Sequence, residues 1–120
     1  MHPFPPASTM NAFHGDAVAQ VWLDPYGVRF IFESGKQIYA ESSVLQIEPN
    51  GTEWPFDCVD QAGAPVIFHR LLYKRIVTVG REELSLTFRM EDGSTLVLVS
   101  ELGPYESGHI VMCEGDFTVF

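Results

Sequence analysis

Residues 84–99 read LSLTFRMEDGSTLVLV, and this stretch decides the fold of the chain. Apolar Leu84, Leu86 and Phe88 alternate with polar residues, as in a strand that buries one face. The pair Asp92-Gly93 then favours a tight turn, and an apolar run of strand length follows it. The stretch therefore predicts an antiparallel β-hairpin with one face in a core.

A second stretch follows the same pattern earlier in the chain. Large apolar residues alternate in 28–32, VRFIF, and the turn at 33–36, ESGK, leads into 37–41, QIYAE. When residues 18–42 are aligned without a gap on residues 76–100, the identical pairs are Val21/Val79, Phe30/Phe88, Glu33/Glu91, Gly35/Gly93 and Ser42/Ser100. The alignment predicts two related three-strand meanders.

The two predicted meanders each have one apolar face, and these faces must be buried. We therefore predict a mostly β (α+β) fold, as a small sandwich or a partly open barrel built from two related antiparallel β-meander units. Between the units, Pro65 precedes apolar residues at Ile67, Phe68, Leu71 and Leu72. This spacing predicts one amphipathic helix that runs to residue 75.

The 120 residues suffice for one domain, and we predict a single mostly β domain over 17–120. Residues 1–16 contain three prolines and no apolar period, so they are predicted to form an N-terminal arm outside the core. Phe4 and Phe13 would be its anchors, for instance on a neighbouring subunit. The last residue, Phe120, ends a predicted strand that ties this end of the chain to the sheet.

Acidic residues outnumber basic ones by 16 to 7, which gives a net charge of −9. This charge repels phosphate backbones, so we expect no nucleic-acid partner, and it favours a basic protein partner. The sequence has no apolar run of membrane-spanning length and no secretory signal pattern, which predicts a cytoplasmic protein without a membrane partner. Four of the seven basic residues gather in 70–81 as a basic patch, whose simplest role is to pair with carboxylates of this chain.

The sequence contains no phosphate-binding loop, nucleophile elbow or metal-ligand spacing. Cys58 and Cys113 are far apart and have no histidines at zinc spacing, so we predict reduced, structural thiols. His109 is the best candidate for a general base, because carboxylates and a hydroxyl lie nearby in sequence, but an exposed strand histidine needs no function. We therefore predict no catalytic residue, no cofactor and no metal site, and favour a non-enzymatic function.

The candidate binding residues are aromatic. Trp54 and Phe56 follow a turn, where large aromatic residues serve either as recognition anchors or as plugs for the open end of a β core. Tyr39 and His109 complete the predicted set of site residues.

The hairpin at 88–96, FRMEDGSTL, together with Tyr105-Glu106 and the ending GDFTVF at 115–120, resembles a family of small bacterial mostly β proteins of unknown function. The resemblance covers residues 17–120 and leaves out the arm. It implies the fold class and assigns no functional residue.

These observations favour a non-enzymatic protein-binding module, of the immunity type or a regulatory inhibitor, that presents an acidic surface to a basic partner. The alternative is a small-molecule-binding β barrel or sandwich, or an enzyme without recognisable motifs, with a pocket between the two hairpin units near Trp54, Tyr39 and His109. A third hypothesis is a homo-oligomer formed through the N-terminal arm or an edge strand.

Overall fold

The alternating stretches form the strands of two packed sheets. The computed structural model describes residues 2–60, 65–101, 106–113 and 115–120. In these residues the helical segments are α1 (Ala7–Met10) and the 3-10 turns Asn11–Phe13 and Phe68–Leu71. The strands are β1 (Val18–Asp24), β2 (Gly27–Phe32), β3 (Gln37–Ala40), β4 (Ser43–Ile47), β5 (Glu53–Asp57), β6 (Ile76–Arg81), β7 (Ser85–Met90), β8 (Thr95–Val99), β9 (Gly108–Val111) and β10 (Phe117–Val119).

The ten strands form two antiparallel five-stranded sheets. Sheet 1 has the order β1-β2-β3-β9-β10, and sheet 2 has the order β5-β4-β8-β7-β6. The alternating apolar residues of both sheets point into one shared core, as expected for strands with a side-chain period of two. The predicted mostly β fold is confirmed, in its sandwich form.

The two predicted meanders are β1-β2-β3 and β6-β7-β8, and their registers coincide at the offset found in the sequence. Val18 pairs with Phe32 as Ile76 pairs with Met90, and each first strand has an irregularity directly after that pair. Gly35 and Gly93 both turn their hairpins with positive φ, 99° and 90°. Glycine is favoured at both positions because other residues are strained in this conformation.

The repeat extends further than the sequence alignment indicates. The hairpin β9-β10 repeats β4-β5: Leu45 pairs with Pro55 as His109 pairs with Val119, 64 positions later. The hairpins are exchanged, however, because β4 pairs with β8 of the second meander and β9 pairs with β3 of the first. Each half of the chain thus contributes its last two strands to the sheet of the other half.

The predicted arm reaches into the core, although the sequence predicts that it lies outside it. Phe4, Met10 and Phe13 are fully buried, and the Phe13 ring lies 5.1 Å from Phe32 and 5.3 Å from Phe88. The Arg81 guanidinium donates to the carbonyl oxygens of the arm at Phe4 and Pro5. Because Phe4 and Phe13 are buried in the core of their own chain, they are not exposed as anchors for another subunit.

The segment between the meanders contains a helix that is shorter than predicted. Among residues 65–75, all of which the structure describes, only Phe68–Leu71 is helical, as a single 3-10 turn, and Tyr73 has a positive φ of 63° that a continuing helix does not allow. Tertiary contacts explain the difference: the N–H of Tyr73 donates to the carbonyl of Val18, 2.7 Å away, so the chain leaves the helix to bind β1. Phe68 and Leu71 are nevertheless buried in the core, as the apolar spacing predicts.

The C-terminal strand is tied to the sandwich as predicted. Phe120 is fully buried, stacks on Phe4 with 4.4 Å between ring centroids, and donates its N–H to the carbonyl of Gly108. A side chain at Gly108 would lie 2.5 Å from the Phe120 ring and 2.1 Å from the carbonyl of Tyr39. Glycine at this position is what lets the ring approach the sheet.

Phe120→Ala should destabilise the fold by about 3–5 kcal/mol, because it removes a buried ring and the stacking of that ring on Phe4. Urea denaturation followed by fluorescence measures this loss. Phe117→Ala is the matched control, since Phe117 lies on the same strand but is exposed, and it should change stability by less than about 1 kcal/mol. Equal effects of the two substitutions would contradict the burial of Phe120.

Candidate functional site

A row of large side chains crosses the outer face of sheet 1. The register pairs Trp22 with Arg29, Arg29 with Tyr39, and Tyr39 with His109. Phe117, on β10, lies beside the His109 ring with 4.7 Å between centroids. We call these five residues the ladder. Because the strand neighbours of Arg29, Tyr39 and His109 are buried, these three side chains face away from the core.

Arg29, Tyr39, His109 and Phe117 form a continuous series of side-chain contacts. The Arg29 guanidinium lies over the Tyr39 ring, 4.7 Å from its centroid, and the Tyr39 and His109 rings are 5.3 Å apart. Arg29 also donates to the side-chain oxygen of Gln37 at 3.0 Å. At its ends the ladder is open to solvent, because Trp22 is 57% exposed and Phe117 is 61% exposed. The centre is thus held in place while both ends remain available for contact.

The internal repeat shows that the fold does not require these side chains. The equivalent row on sheet 2 pairs Gly80 with Thr87, Thr87 with Val97, and Val97 with Leu45. The same backbone positions therefore carry small or aliphatic residues in one sheet and aromatic or cationic residues in the other. The ladder is a property of sheet 1 alone, which marks it as the candidate functional surface.

Three carboxylates lie beside the ladder and interact electrostatically: Asp24, Glu41 and Glu106. We call them the acidic corner. The pKa of Asp24 is lowered mainly by a hydrogen bond from the backbone N–H of Tyr26. The Tyr39 hydroxyl, 2.8 and 2.9 Å from the two carboxylate oxygens of Asp24, lowers this pKa further by donating a hydrogen bond. Burial, and then the charges of Glu106 and Asp24, raise the pKa of Glu41. The corner therefore concentrates negative potential next to exposed aromatic rings.

His109 sits at the centre of the ladder in its neutral form. Burial and then the Arg29 guanidinium lower the pKa of His109, while Glu106 opposes this shift. Nε2 lies 3.4 Å from an Arg29 nitrogen, and only a neutral ring with its proton on Nδ1 can accept that hydrogen bond. Tyr105, which belongs to the sequence context that suggested a general base, lies outside the described residues.

The structure divides the four predicted site residues into two pairs. Tyr39 and His109 meet in the ladder, whereas Trp54 and Phe56 lie on β5 in sheet 2. Phe56 is buried, and the Trp54 indole donates to the Glu48 carboxylate at 2.8 Å. Phe56 packs edge-on against Phe68, with 5.5 Å between ring centroids, so Trp54 and Phe56 lie on the other sheet from Tyr39 and His109.

Trp22, Arg29 and Phe117 are ladder residues that the sequence analysis did not select. The alternation of β2 places Arg29 on the face of the strand that points away from the buried residues, and this pattern could have indicated Arg29 from the sequence. The position of Trp22 depends on the irregularity between Val18 and Gln20, which shifts its face. The contact between Phe117 and His109 depends on the pairing of β10 with β9 beside β3.

A separate groove of about 460 Å³ lies on the outer side of sheet 2, next to β5. Leu45, Pro55 and Val99 are among its apolar lining residues. Its acidic lining residues are Glu53, Asp57 and Glu101, and the Ser43 hydroxyl donates to Glu101 at 2.9 Å.

The predicted basic patch pairs with groups of this chain. Arg70 binds the Glu48 carboxylate, Arg75 lies 3.9 Å from Glu33, and Arg81 holds the arm. These contacts confirm the simpler interpretation of the patch.

The two cysteines differ in exposure, since Cys58 is buried and Cys113 is exposed. Cys58 and Cys113 form no disulfide, and burial raises the pKa of the Cys58 thiol to about 12, which keeps it protonated. In the ranges that the structure describes, no group of three or more His, Cys, Asp or Glu side chains is placed to hold a metal ion. Among the same residues, no helix has the length and apolar character needed to cross a membrane.

Acidification should destabilise the protein through His109. Because the folded-state pKa lies below the ordinary 6.5, the unfolded chain takes up a proton first as the pH falls. The contribution of neutral His109 to the free energy of unfolding is therefore fully present above pH 6.5, and it is lost as the pH falls toward the folded-state pKa. An NMR titration of the imidazole together with urea unfolding between pH 7.5 and 5 measures both effects.

The control for this titration is His109→Gln, which keeps a hydrogen-bond acceptor for Arg29 but does not titrate. Its stability should vary less with pH over the same interval. A His109 imidazole that titrates above 6.5 would contradict the burial beside Arg29.

Comparison with known proteins adds no family to this description. No family model matches the chain, and no curated protein matches it. The function is therefore argued from the ladder, the acidic corner and the groove.

Proposed function

We propose that this chain is a non-enzymatic protein-binding module, of the immunity type or a regulatory inhibitor, that binds a basic partner with the outer face of sheet 1. The observation that carries the proposal is the ladder, with its exposed ends Trp22 and Phe117. Tryptophan, tyrosine and arginine supply most of the binding energy in protein interfaces. Exposed aromatic side chains that the fold does not need are most simply explained by a partner that covers them.

The charge of the surface favours a basic partner. The acidic corner places three carboxylates beside Tyr39, and burial, followed by repulsion from Glu106 and Asp24, raises the pKa of Glu41. Arginine and lysine side chains of a partner would relieve this repulsion and pack on the exposed rings Trp22 and Tyr26. The net charge of −9 also accelerates the approach of a basic protein.

The test uses a partner that co-purifies with the native chain and is identified by mass spectrometry. Its affinity is measured by calorimetry with wild type, Trp22→Ala and Phe117→Ala, and each substitution should weaken binding at least about tenfold. The matched control is Val77→Ala, which truncates an exposed apolar side chain on sheet 2 and should change the affinity less than about twofold.

Salt dependence tests the charge of the partner independently. Binding should weaken when salt is raised from about 50 to about 300 mM, because ions screen the acidic corner. An affinity that is insensitive to salt, or that Trp22→Ala leaves unchanged, would place the interface elsewhere and contradict the proposal.

The groove beside β5 supports a second candidate function, the binding of a small molecule. Its apolar floor and its carboxylates Glu53, Asp57 and Glu101 suit a compact organic cation. An NMR titration with a series of small organic amines should shift the amide signals of Leu45 and Val99 if this function is correct. Shifts confined to exposed carboxylates outside the groove would count against it.

A further inference from the structure

Two of the four outer strand edges are interrupted by the chain itself. β1 begins with bridges to Arg75 and Leu72 and has an irregularity after Val18. β6 has an irregularity after Ile76, and its first residue accepts a hydrogen bond from Gly15 of the arm. Such irregularities and covering segments keep an edge strand from pairing with another chain.

The remaining edges, β5 and β10, are equivalent in the internal repeat, yet only β5 is blocked. β5 carries Pro55 at its centre, with Glu53 and Asp57 on either side. Proline lacks an N–H donor, and like charges oppose the approach of a second acidic strand. At the positions equivalent to Glu53 and Pro55, β10 has Phe117 and Val119. Neither of the two blocking features is present there.

Hydrogen bonds show which groups β10 directs to its open side. The carbonyl of Asp116 accepts from Met112 at 2.9 Å, and the N–H of Phe120 donates to Gly108 at 3.0 Å. Since alternate residues of a strand direct their N–H and C=O groups to the same side, Thr118 also faces β9. Phe117 and Val119 therefore present their N–H and C=O groups to the open edge.

We propose that two copies of this chain pair through β10, antiparallel and centred on Thr118. The two edge-facing residues are placed symmetrically about Thr118, so Phe117 of each copy pairs with Val119 of the other copy. In an antiparallel sheet such a pair exchanges two hydrogen bonds, which gives four in total. The strand is thus complementary to itself, and β10 contains no charged residue, with Asp116 just outside it.

The pairing joins the two five-stranded sheets into one continuous sheet of two copies. Paired side chains of neighbouring strands lie on the same face, so Phe117 and Val119 would cover each other on the outer face. Both ladders then face the same side. The interface is small, because β10 has three residues, and we expect a weak dimer that forms at high concentration.

Sedimentation velocity between about 10 µM and about 1 mM tests the proposal. The mass should rise with concentration from 13.4 kDa toward twice that value. Each copy carries a net charge of −9, so added salt should strengthen the dimer by screening the repulsion. Added salt should have the opposite effect on the proposed complex with a basic partner, whose affinity it lowers.

Val119→Pro is the decisive variant, because it removes an edge-facing N–H and copies the residue that the repeat has at Pro55. The fold should tolerate Val119→Pro, because the repeat already has proline at the equivalent position. Thermal unfolding measures this tolerance. Dimerisation should weaken at least about tenfold, whereas Val119→Ala keeps the N–H and should weaken it far less. Phe117→Glu, which copies Glu53, should also abolish the dimer.

A mass of 13.4 kDa at every concentration would overturn the proposal, as would a dimer that Val119→Pro leaves intact. If the chain alone is monomeric and a basic partner protects the Val119 amide from exchange, the edge instead receives a strand of that partner. Trp22 lies far along the sheet on β1, so Trp22→Ala should leave the dimer unchanged while it weakens binding of the proposed partner. Phe117 belongs to both surfaces, so Trp22→Ala and Val119→Pro are the variants that distinguish the dimer from the proposed function.

Discussion

The exchange of hairpins between the two halves is the constraint on which the rest of the structure depends. Each meander has one apolar face, and each receives its fourth and fifth strands from the other half. Neither sheet can form without the other, so folding the halves separately would leave both faces exposed. The phenylalanine contacts follow from this arrangement, since Phe32 of sheet 1 and Phe88 of sheet 2 meet across the core at 6.1 Å.

The repeat also separates what the scaffold needs from what it does not. Buried positions are matched between the halves, with Phe30 equivalent to Phe88 and Phe56 equivalent to Phe120, because both sheets face the same core. The outer faces are not matched, and the row that is glycine, threonine and aliphatic on sheet 2 is aromatic and cationic on sheet 1. Packing restricts the residues of the core but not those of a solvent-facing row, and the proposed binding surface rests on this difference.

Charge is distributed on the same principle. Arg70, Arg75 and Arg81 are used within the chain, to hold β-strand connections and the arm in place. Arg29 partly offsets the carboxylates of the acidic corner, but burial, and then the charges of Glu106 and Asp24, raise the pKa of Glu41. Three carboxylates thus lie beside the exposed aromatic rings, and the combination gives the surface both a polarity and an apolar contact area.

The sequence by itself determined the strands, the two meanders and the burial of their alternating residues, because a period of two and turn glycines such as Gly35 and Gly93 are local properties. Tertiary structure decided the burial of Phe4, the early end of the helix at Leu71 and the exchange of hairpins, since each depends on distant backbone partners. Of the predicted site, sequence found Tyr39 and His109 but could not distinguish them from Trp54 and Phe56. Which aromatic residues point outward depends on strand pairing, and a strand's own sequence does not specify its partner.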